Sequence, residues 1–315
     1  MLPRLTFACL ALIGAASVLA EDPEHIRDII YAKHDGVALT MDVFKPAHPN
    51  GAGVIKIISG GWKSNHNGIN DGTWPSHGYT TFVVVHGTQP RFQVEEIVAD
   101  LNRAVRFIRA HAADYGVDPH KLGVTGGSAG GHLSLMLATR GGPGNAKSGD
   151  PVDAQSSRPD AVACFYPPTD YLNWFEPGDN AVGIGKLAEY APAFGVKART
   201  AEGRATLGRE VSPIYWAHKE QPPIYIVHGD ADPGVSITQS LRFLAKCHEL
   251  GATCEVLIRN GAGHGGWAEI PQDTVRMSEW FDLQLLGKAP ARPFNFDQSA
   301  LPSTPALKKT AAPKK

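Results

Sequence analysis

The sequence predicts an α/β fold: a mainly parallel central sheet of about eight strands with helices on both faces. Three observations predict it. Short apolar runs recur along the chain, the later ones alternate with stretches of helical periodicity, and a glycine-rich turn joins one such run directly to a helix. With 315 residues, 43% hydrophobic and 19% charged, there is ample material for a core, and α/β units of this size often form one domain. The formal net charge of -1 gives no electrostatic case for nucleic acid.

The chain opens on a short basic start, Met1-Leu2-Pro3-Arg4, followed by a mostly apolar stretch from Leu5 to Leu19 and compact residues at Val18-Leu19-Ala20. That pattern reads as a signal peptide over 1–20, with a mature chain from near Glu21 exported to the periplasm or the outside. No interior segment is long and apolar enough for a bilayer span, so no stable membrane anchor is expected. Residues 21–288 form the expected folded unit. Its strands are expected at Asp28 to Lys33, Ala38 to Phe44, Val54 to Ile58, Thr81 to His86, Leu122 to Thr125, Ala161 to Tyr166, Ile224 to His228 and Cys254 to Ile258.

The clearest helix follows Phe92, where Val94, Ile97, Val98, Leu101, Ala104, Val105 and Ile108 recur at helical spacing; it is expected to end near Tyr115-Gly116. Two more are expected over Val235 to Leu250 and Gln272 to Leu286, the latter with Val275, Trp280 and Phe281 as its apolar positions and Gly287 as its stop. Between them and the earlier strands, residues 167–222 form a long excursion with Trp174, Tyr190, Phe194 and Trp216, expected as short helices over the sheet edge that shape a pocket. Residues 289–315 contain five prolines and end in paired lysines, a composition expected to stay disordered. Once the leader is removed, Cys164, Cys247 and Cys254 remain. Cys247 and Cys254 flank a short turn at Gly251, which leaves a disulfide and two free thiols equally open.

Chemistry concentrates at Gly126-Gly127-Ser128-Ala129-Gly130-Gly131, directly after the strand ending at Thr125. Gly-x-Ser-x-Gly between a strand and a helix is the nucleophile-elbow pattern: the turn is so tight that larger neighbours would collide, and the serine stands at its tip. Phosphate-binding alternatives fail, because His132 and Leu133 stand where a phosphate loop needs Lys and Ser/Thr, and Ser128 and Ala129 where Gly-x-Gly-x-x-Gly needs glycine. A serine hydroxyl needs a base to accept its proton and an acid to orient that base. In sheet hydrolases with this elbow the acid and then the histidine follow the serine in the chain. The strand at Ile224 runs into His228-Gly229-Asp230-Ala231-Asp232, which offers two carboxylates; the strand at Cys254 leads to Gly261-Ala262-Gly263-His264-Gly265-Gly266-Trp267, which places His264 on a flexible loop. His228 is its rival, but it ends a strand. Asp230 and Asp232 stay unseparated on this reading, since either is equally able to cap the next helix.

The negative charge that develops on an attacked carbonyl needs donors. The Ala129 amide, at a helix N-terminus one residue past the serine, is one. Gly60 and Gly61 in Ser59-Gly60-Gly61-Trp62, after the strand at Val54, supply the other loop. Trp62 and Trp267, which close the two glycine-rich segments, are the candidate pocket residues.

With Asp114-Tyr115-Gly116-Val117-Asp118-Pro119 and Ser212-Pro213, these segments resemble the α/β-hydrolase superfamily from about Tyr31 to Leu286. They resemble most its secreted carboxylesterases of the feruloyl-esterase and acetylxylan-esterase kind, related to hormone-sensitive-lipase-like esterases. The resemblance implies an α/β-hydrolase fold, Asp232 as the acid with Asp230 structural, a small-molecule or polysaccharide ester as substrate, and no metal or organic cofactor. Relatives usually carry His-Gly-Gly-Gly-Trp where this chain has Ile58-Ser59-Gly60-Gly61-Trp62, and Tyr-Arg where it has His86-Gly87-Thr88. Two other readings share parts of the pattern. Prolyl-oligopeptidase-like peptidases carry similar signals but usually a large extra N-terminal domain, for which there is no room before Tyr31; a non-catalytic binding protein on a hydrolase scaffold would not need an intact Ser, Asp and His set.

Overall fold

The computed structural model describes residues 22–294. Its strands are β1 Glu24–His34, β2 Val37–Lys45, β3 Gly53–Ile58, β4 Thr80–Val85, β5 Leu122–Gly127, β6 Ala161–Phe165, β7 Ile224–Gly229 and β8 Cys254–Arg259. They form one sheet in the order β1-β2-β4-β3-β5-β6-β7-β8. The β1/β2 and β2/β4 pairs are antiparallel and all later pairs are parallel. The helices are α1 Val94–Ala110, α2 Ala129–Arg140, α3 Ala191–Phe194, α4 Ala201–Glu210, α5 Ile237–Leu250 and α6 Ile270–Leu286.

Side-chain alternation along the strands builds two apolar layers. Ile55, Val162 and Ile226 face a core shared with α1, α2 and α5, whereas Val54, Ala163, Tyr225 and Val227 join Trp280 and Phe281 of α6 on the other face. In α1 the seven apolar positions read from the sequence are all buried, and Gln93 with Glu96 forms a capping box at its start. Helix α2 runs through the core directly behind Ser128 and is buried from Ala129 to Thr139.

Several expected details shift. β1 starts earlier, at Glu24, because a bulge with Asp28 at φ 56° keeps it paired to β2. Helix α5 starts at Ile237, because Ser236 before it has ψ 140° and its side chain accepts the Thr238 amide as a cap. Helix α6 starts at Ile270, with Pro271 in its first turn, and Val275 is 42% exposed rather than apolar core. The excursion between β6 and β7 does contain short helices. It packs on the loops after β3 and β7 rather than at an edge: Tyr171, Tyr190 and Phe194 surround Trp62, and the Trp174 indole donates to Gly234 O at 3.1 Å. Cys164, Cys247 and Cys254 are free and buried, so the disulfide alternative gives way to neighbouring thiols. Hydrogen bonding to Cys247, together with burial, pushes the Cys254 thiol well up. The expected disorder does not begin at 289, because Phe294 packs on Tyr225 and Trp280 at 5.0 and 4.9 Å. The expected signal peptide and residues 295–315 lie outside the described residues. No described helix is long and apolar enough to cross a membrane.

The β1–β2 turn is tied to α1 by His34, whose Nε2 lies 2.7 Å from Asp100 Oδ1 and whose Nδ1 lies 2.8 Å from Asp35. The Asp35 hydrogen bond is the largest influence on His34 and, with Asp100, raises its pKa above 6.5. A raised folded-state pKa gives stability that is fully present below the unfolded value and fades as pH rises through the folded one. We therefore expect His34→Ala to lower the denaturation midpoint in urea, with the gap to the parent widest in acid and narrowing as pH rises above about 6.5.

Candidate active site

Ser128 sits between β5 and α2 at φ 54°, ψ -120°, a conformation costly for a residue with a side chain. Its neighbours are glycines for reasons of space. A Cβ on Gly126 would lie 2.6 Å from the Gly130 backbone, one on Gly130 2.9 Å from Ile57 O, and one on Gly131 2.7 Å from Phe165 O. The Ser128 amide donates to Phe165 O at 3.1 Å, which pins the elbow to the next strand.

Two further loops converge on it. His264, after β8, places Nε2 2.8 Å from Ser128 Oγ and Nδ1 2.6 Å from Asp232 Oδ2. A carboxylate only accepts, so Nδ1 carries the proton and Nε2 is left to accept from the serine hydroxyl. The Asp232 side chain has no exposed surface. Burial pushes its pKa up, but hydrogen bonds from His228, His264 and the amides of Val235 and Gly234 outweigh this and hold it well below the ordinary carboxylate range. Of the two aspartates, Asp232 meets His264. Asp230 instead accepts the Gly261 amide at 2.6 Å and fastens the base of the His264 loop. His228 is buried behind Asp232, with Nδ1 2.7 Å from Ser240 Oγ and Nε2 2.9 Å from Val235 O and 3.3 Å from Asp232 Oδ2.

The loop after β3 departs from expectation. Gly60 and Lys63 exchange both backbone hydrogen bonds at 3.0 Å, and Gly61 and Trp62 between them have φ values of 55° and 57°, a tight turn with left-handed central residues. The Gly60 amide is therefore already used inside the turn. Among the described residues, neither the Gly61 amide nor the Ala129 amide is given to another group. Gln89 braces the turn, donating from its backbone to Trp62 O at 3.2 Å and from its side chain to Gly61 O at 3.3 Å. Trp62 is not an open pocket residue. It is 2% exposed, and its indole donates to His132 Nδ1 at 3.2 Å. Burial lowers the pKa of His132 to about 4, so it stays neutral and donates from Nε2 to Val211 O at 2.7 Å. Trp267 faces Phe165 and Tyr166 and donates to Asp273 Oδ2 at 2.7 Å.

Tyr166, Gln89 and Asp273 were not singled out from the sequence. The Tyr166 ring lies 4.6 Å from that of His264, on a backbone with φ 35°. Only its place at the end of a strand before Pro167 marks it in the sequence. Among the described residues, no group of His, Cys, Asp or Glu is arranged to hold a metal ion.

The model of the BD-FAE family matches residues 41–247. The chain belongs to the BD-FAE family. This BD-FAE chain is 27% identical over 205 residues to the esterase LipQ of Mycobacterium tuberculosis, covering 63% of this chain and 46% of that protein. It is also 27% identical over 136 residues to an acetylxylan esterase of Xylanibacter ruminicola, covering 42% of this chain and 26% of that one. The chain spans about half the length of the first curated relatives it matches, 46% and 53% of them. Among solved structures, a carbohydrate esterase from gut microbiota superposes with a TM-score of 0.72 at 22% identity, over 85% of this chain and 98% of that one. A propionate-bound thermophilic esterase from Thermogutta terrifontis superposes with a TM-score of 0.64 at 25% identity, over 86% and 97%. These likenesses agree with the α/β-hydrolase fold read from the sequence.

A Cβ on Gly61 would lie 2.3 Å from the Tyr190 ring and would also have to adopt φ 55°. We expect Gly61→Ala to destabilise the protein by about 1–3 kcal/mol in denaturant unfolding, and Tyr190→Ala in the same chain to recover part of that loss.

Proposed function

We propose that this chain is a serine carboxylesterase that removes short acyl groups, acetyl or feruloyl, from plant polysaccharide. The observation that carries the reading is the unbroken relay Ser128 Oγ, His264 Nε2, His264 Nδ1, Asp232 Oδ2, with links of 2.8 and 2.6 Å. In the proposed reaction Ser128 Oγ attacks the ester carbonyl carbon while its proton passes to His264 Nε2. Asp232 stabilises the imidazolium that forms, and the amides of Ala129 and Gly61 bind the oxyanion. Collapse of the tetrahedral adduct expels the alcohol, which takes the proton from His264 and leaves an acyl-serine. Water then repeats the sequence, with His264 as its base, and releases the carboxylic acid.

Two supports come from relatives: LipQ is named an esterase, and the Xylanibacter ruminicola protein an acetylxylan esterase. The excursion at 167–222 serves as the pocket wall in this reading, because its Tyr190 packs against Gly61. Export is also proposed, on the basic start and apolar stretch of residues 1–20; an exported product whose mass begins near Glu21 is the expected outcome.

Activity is best read on a panel of esters that includes 4-nitrophenyl acetate, acetylated xylan and a feruloyl ester. Ser128→Ala should abolish turnover of each, and Asp232→Asn should lower kcat by on the order of a thousandfold or more. Asp230→Asn should keep kcat within about tenfold of the parent, since it touches only the base of the loop. Full activity in Ser128→Ala would defeat the proposal, and a larger loss at Asp230 than at Asp232 would reassign the acid.

A further inference from the structure

His264 has to hold two hydrogen bonds at once, yet the loop that carries it is a flexible kind of chain. Between β8 and α6 it contains Gly261, Gly263, Gly265 and Gly266, and three of these have φ values of 72°, 80° and 74°. Glycines in such conformations lose much freedom on ordering, so the loop needs restraint from outside itself. Asp230 holds its base at Gly261, which leaves the stretch through His264 to Trp267 to be accounted for.

A single buried carboxylate meets that need. Asp273, in the first turn of α6, has no exposed side-chain surface. It accepts Arg259 Nε at 2.9 and 3.0 Å, with a further close contact from an Arg259 terminal nitrogen, and it accepts the Trp267 indole at 2.7 Å. Arg259 is the last residue of β8 and Trp267 lies just past His264, so one side chain closes the loop at both ends. The anchored indole then stands edge-on to Tyr166 at 5.7 Å, and the Tyr166 ring lies 4.6 Å from the imidazole. The Tyr166 hydroxyl is wedged between the neighbours of the two reacting residues: a Cβ on Gly127 would lie 3.2 Å from it, and one on Gly265 2.9 Å.

We propose that Asp273 is a positioning residue for the reaction: through Arg259 and Trp267 it fixes the catalytic loop and seats Tyr166 behind His264, keeping the imidazole between Ser128 and Asp232. The proposal rests on the serine-esterase reading of this site. A purely structural ion pair at the start of α6 would stabilise the fold without acting on His264, and the two roles separate by measurement.

Trp267→Phe removes one N–H and keeps the ring against Phe165 and Tyr166; Asp273→Asn removes the charge. Both are made in the full chain and assayed for kcat and KM on 4-nitrophenyl acetate, thermal midpoint, and the low-field proton resonance of His264 Nδ1. Trp267→Phe should lower kcat about tenfold with KM within about twofold and the chain fully folded at the assay temperature, since misplacing a catalytic group by a fraction of an ångström is costly. The low-field resonance should broaden or disappear in both variants. The double variant should be no worse than Asp273→Asn alone, because both act through one contact. If Trp267→Phe keeps kcat within about twofold of the parent and the resonance is unchanged, or if any loss only follows the unfolded fraction, the proposal is overturned. Should Asp273→Asn fail to fold, Trp267→Phe decides alone. If the parent itself hydrolyses no ester, the function fails while the resonance still judges the anchor: unchanged in Trp267→Phe, it sinks the anchor as well.

Discussion

A negative charge on Asp232, shut away from solvent, is the constraint around which the site is organised. Desolvation alone would protonate it. It stays ionised because four donors converge on it: His264 and His228 on Oδ2, and the Gly234 and Val235 amides on Oδ1. Each donor is fixed in turn by something else. His228 is locked between Ser240 and Val235, Gly234 is held by the Trp174 indole of the excursion, and His264 depends on its own anchored loop. The acid thus links β7, β8, α5 and the excursion into one support, which explains why an insertion of more than fifty residues packs onto these loops instead of hanging at the rim.

The Ser128 side of the site obeys a steric constraint rather than an electrostatic one. Three glycines around Ser128 have no room for a Cβ, because α2 leaves the elbow pressed against the end of β3 and the end of β6. That closeness is what brings the β3 turn near the serine. The turn is then held from behind, with Gln89 on its carbonyls and Trp62 buried among aromatics and His132, so the free Gly61 amide sits on a braced turn. Preorganised donors of this kind need no rearrangement as charge develops.

Much of this was legible in the sequence, for identifiable reasons. The six strands from β3 to β8 are the short, largely apolar runs that a covered parallel sheet requires, and the residues at the ends of β5, β7 and β8 stand out because glycine and polar residues follow apolar runs abruptly. Asp230 and Asp232 could be told apart only by family resemblance until the geometry put the second against His264. What escaped depended on backbone conformation and on side-chain contacts that apolar periodicity does not carry. The use of the Gly60 amide inside a hairpin turn follows from Trp62 adopting φ 57°, which no local pattern announces in an aromatic residue. Trp62 and Trp267 looked like pocket residues because aromatics beside glycines often are; the first is covered by residues more than a hundred positions later, and the second is drawn to Asp273. Asp273 itself reads as an ordinary acidic residue in a first helical turn.

The account stands on Ser128 being a nucleophile activated by His264. Treating the folded protein with a fluorophosphonate and mapping the adduct by tandem mass spectrometry tests this directly. One adduct is predicted, on the peptide carrying Ser128 and absent from protein unfolded before treatment. No adduct on the folded chain, or an adduct on a different serine, would contradict it.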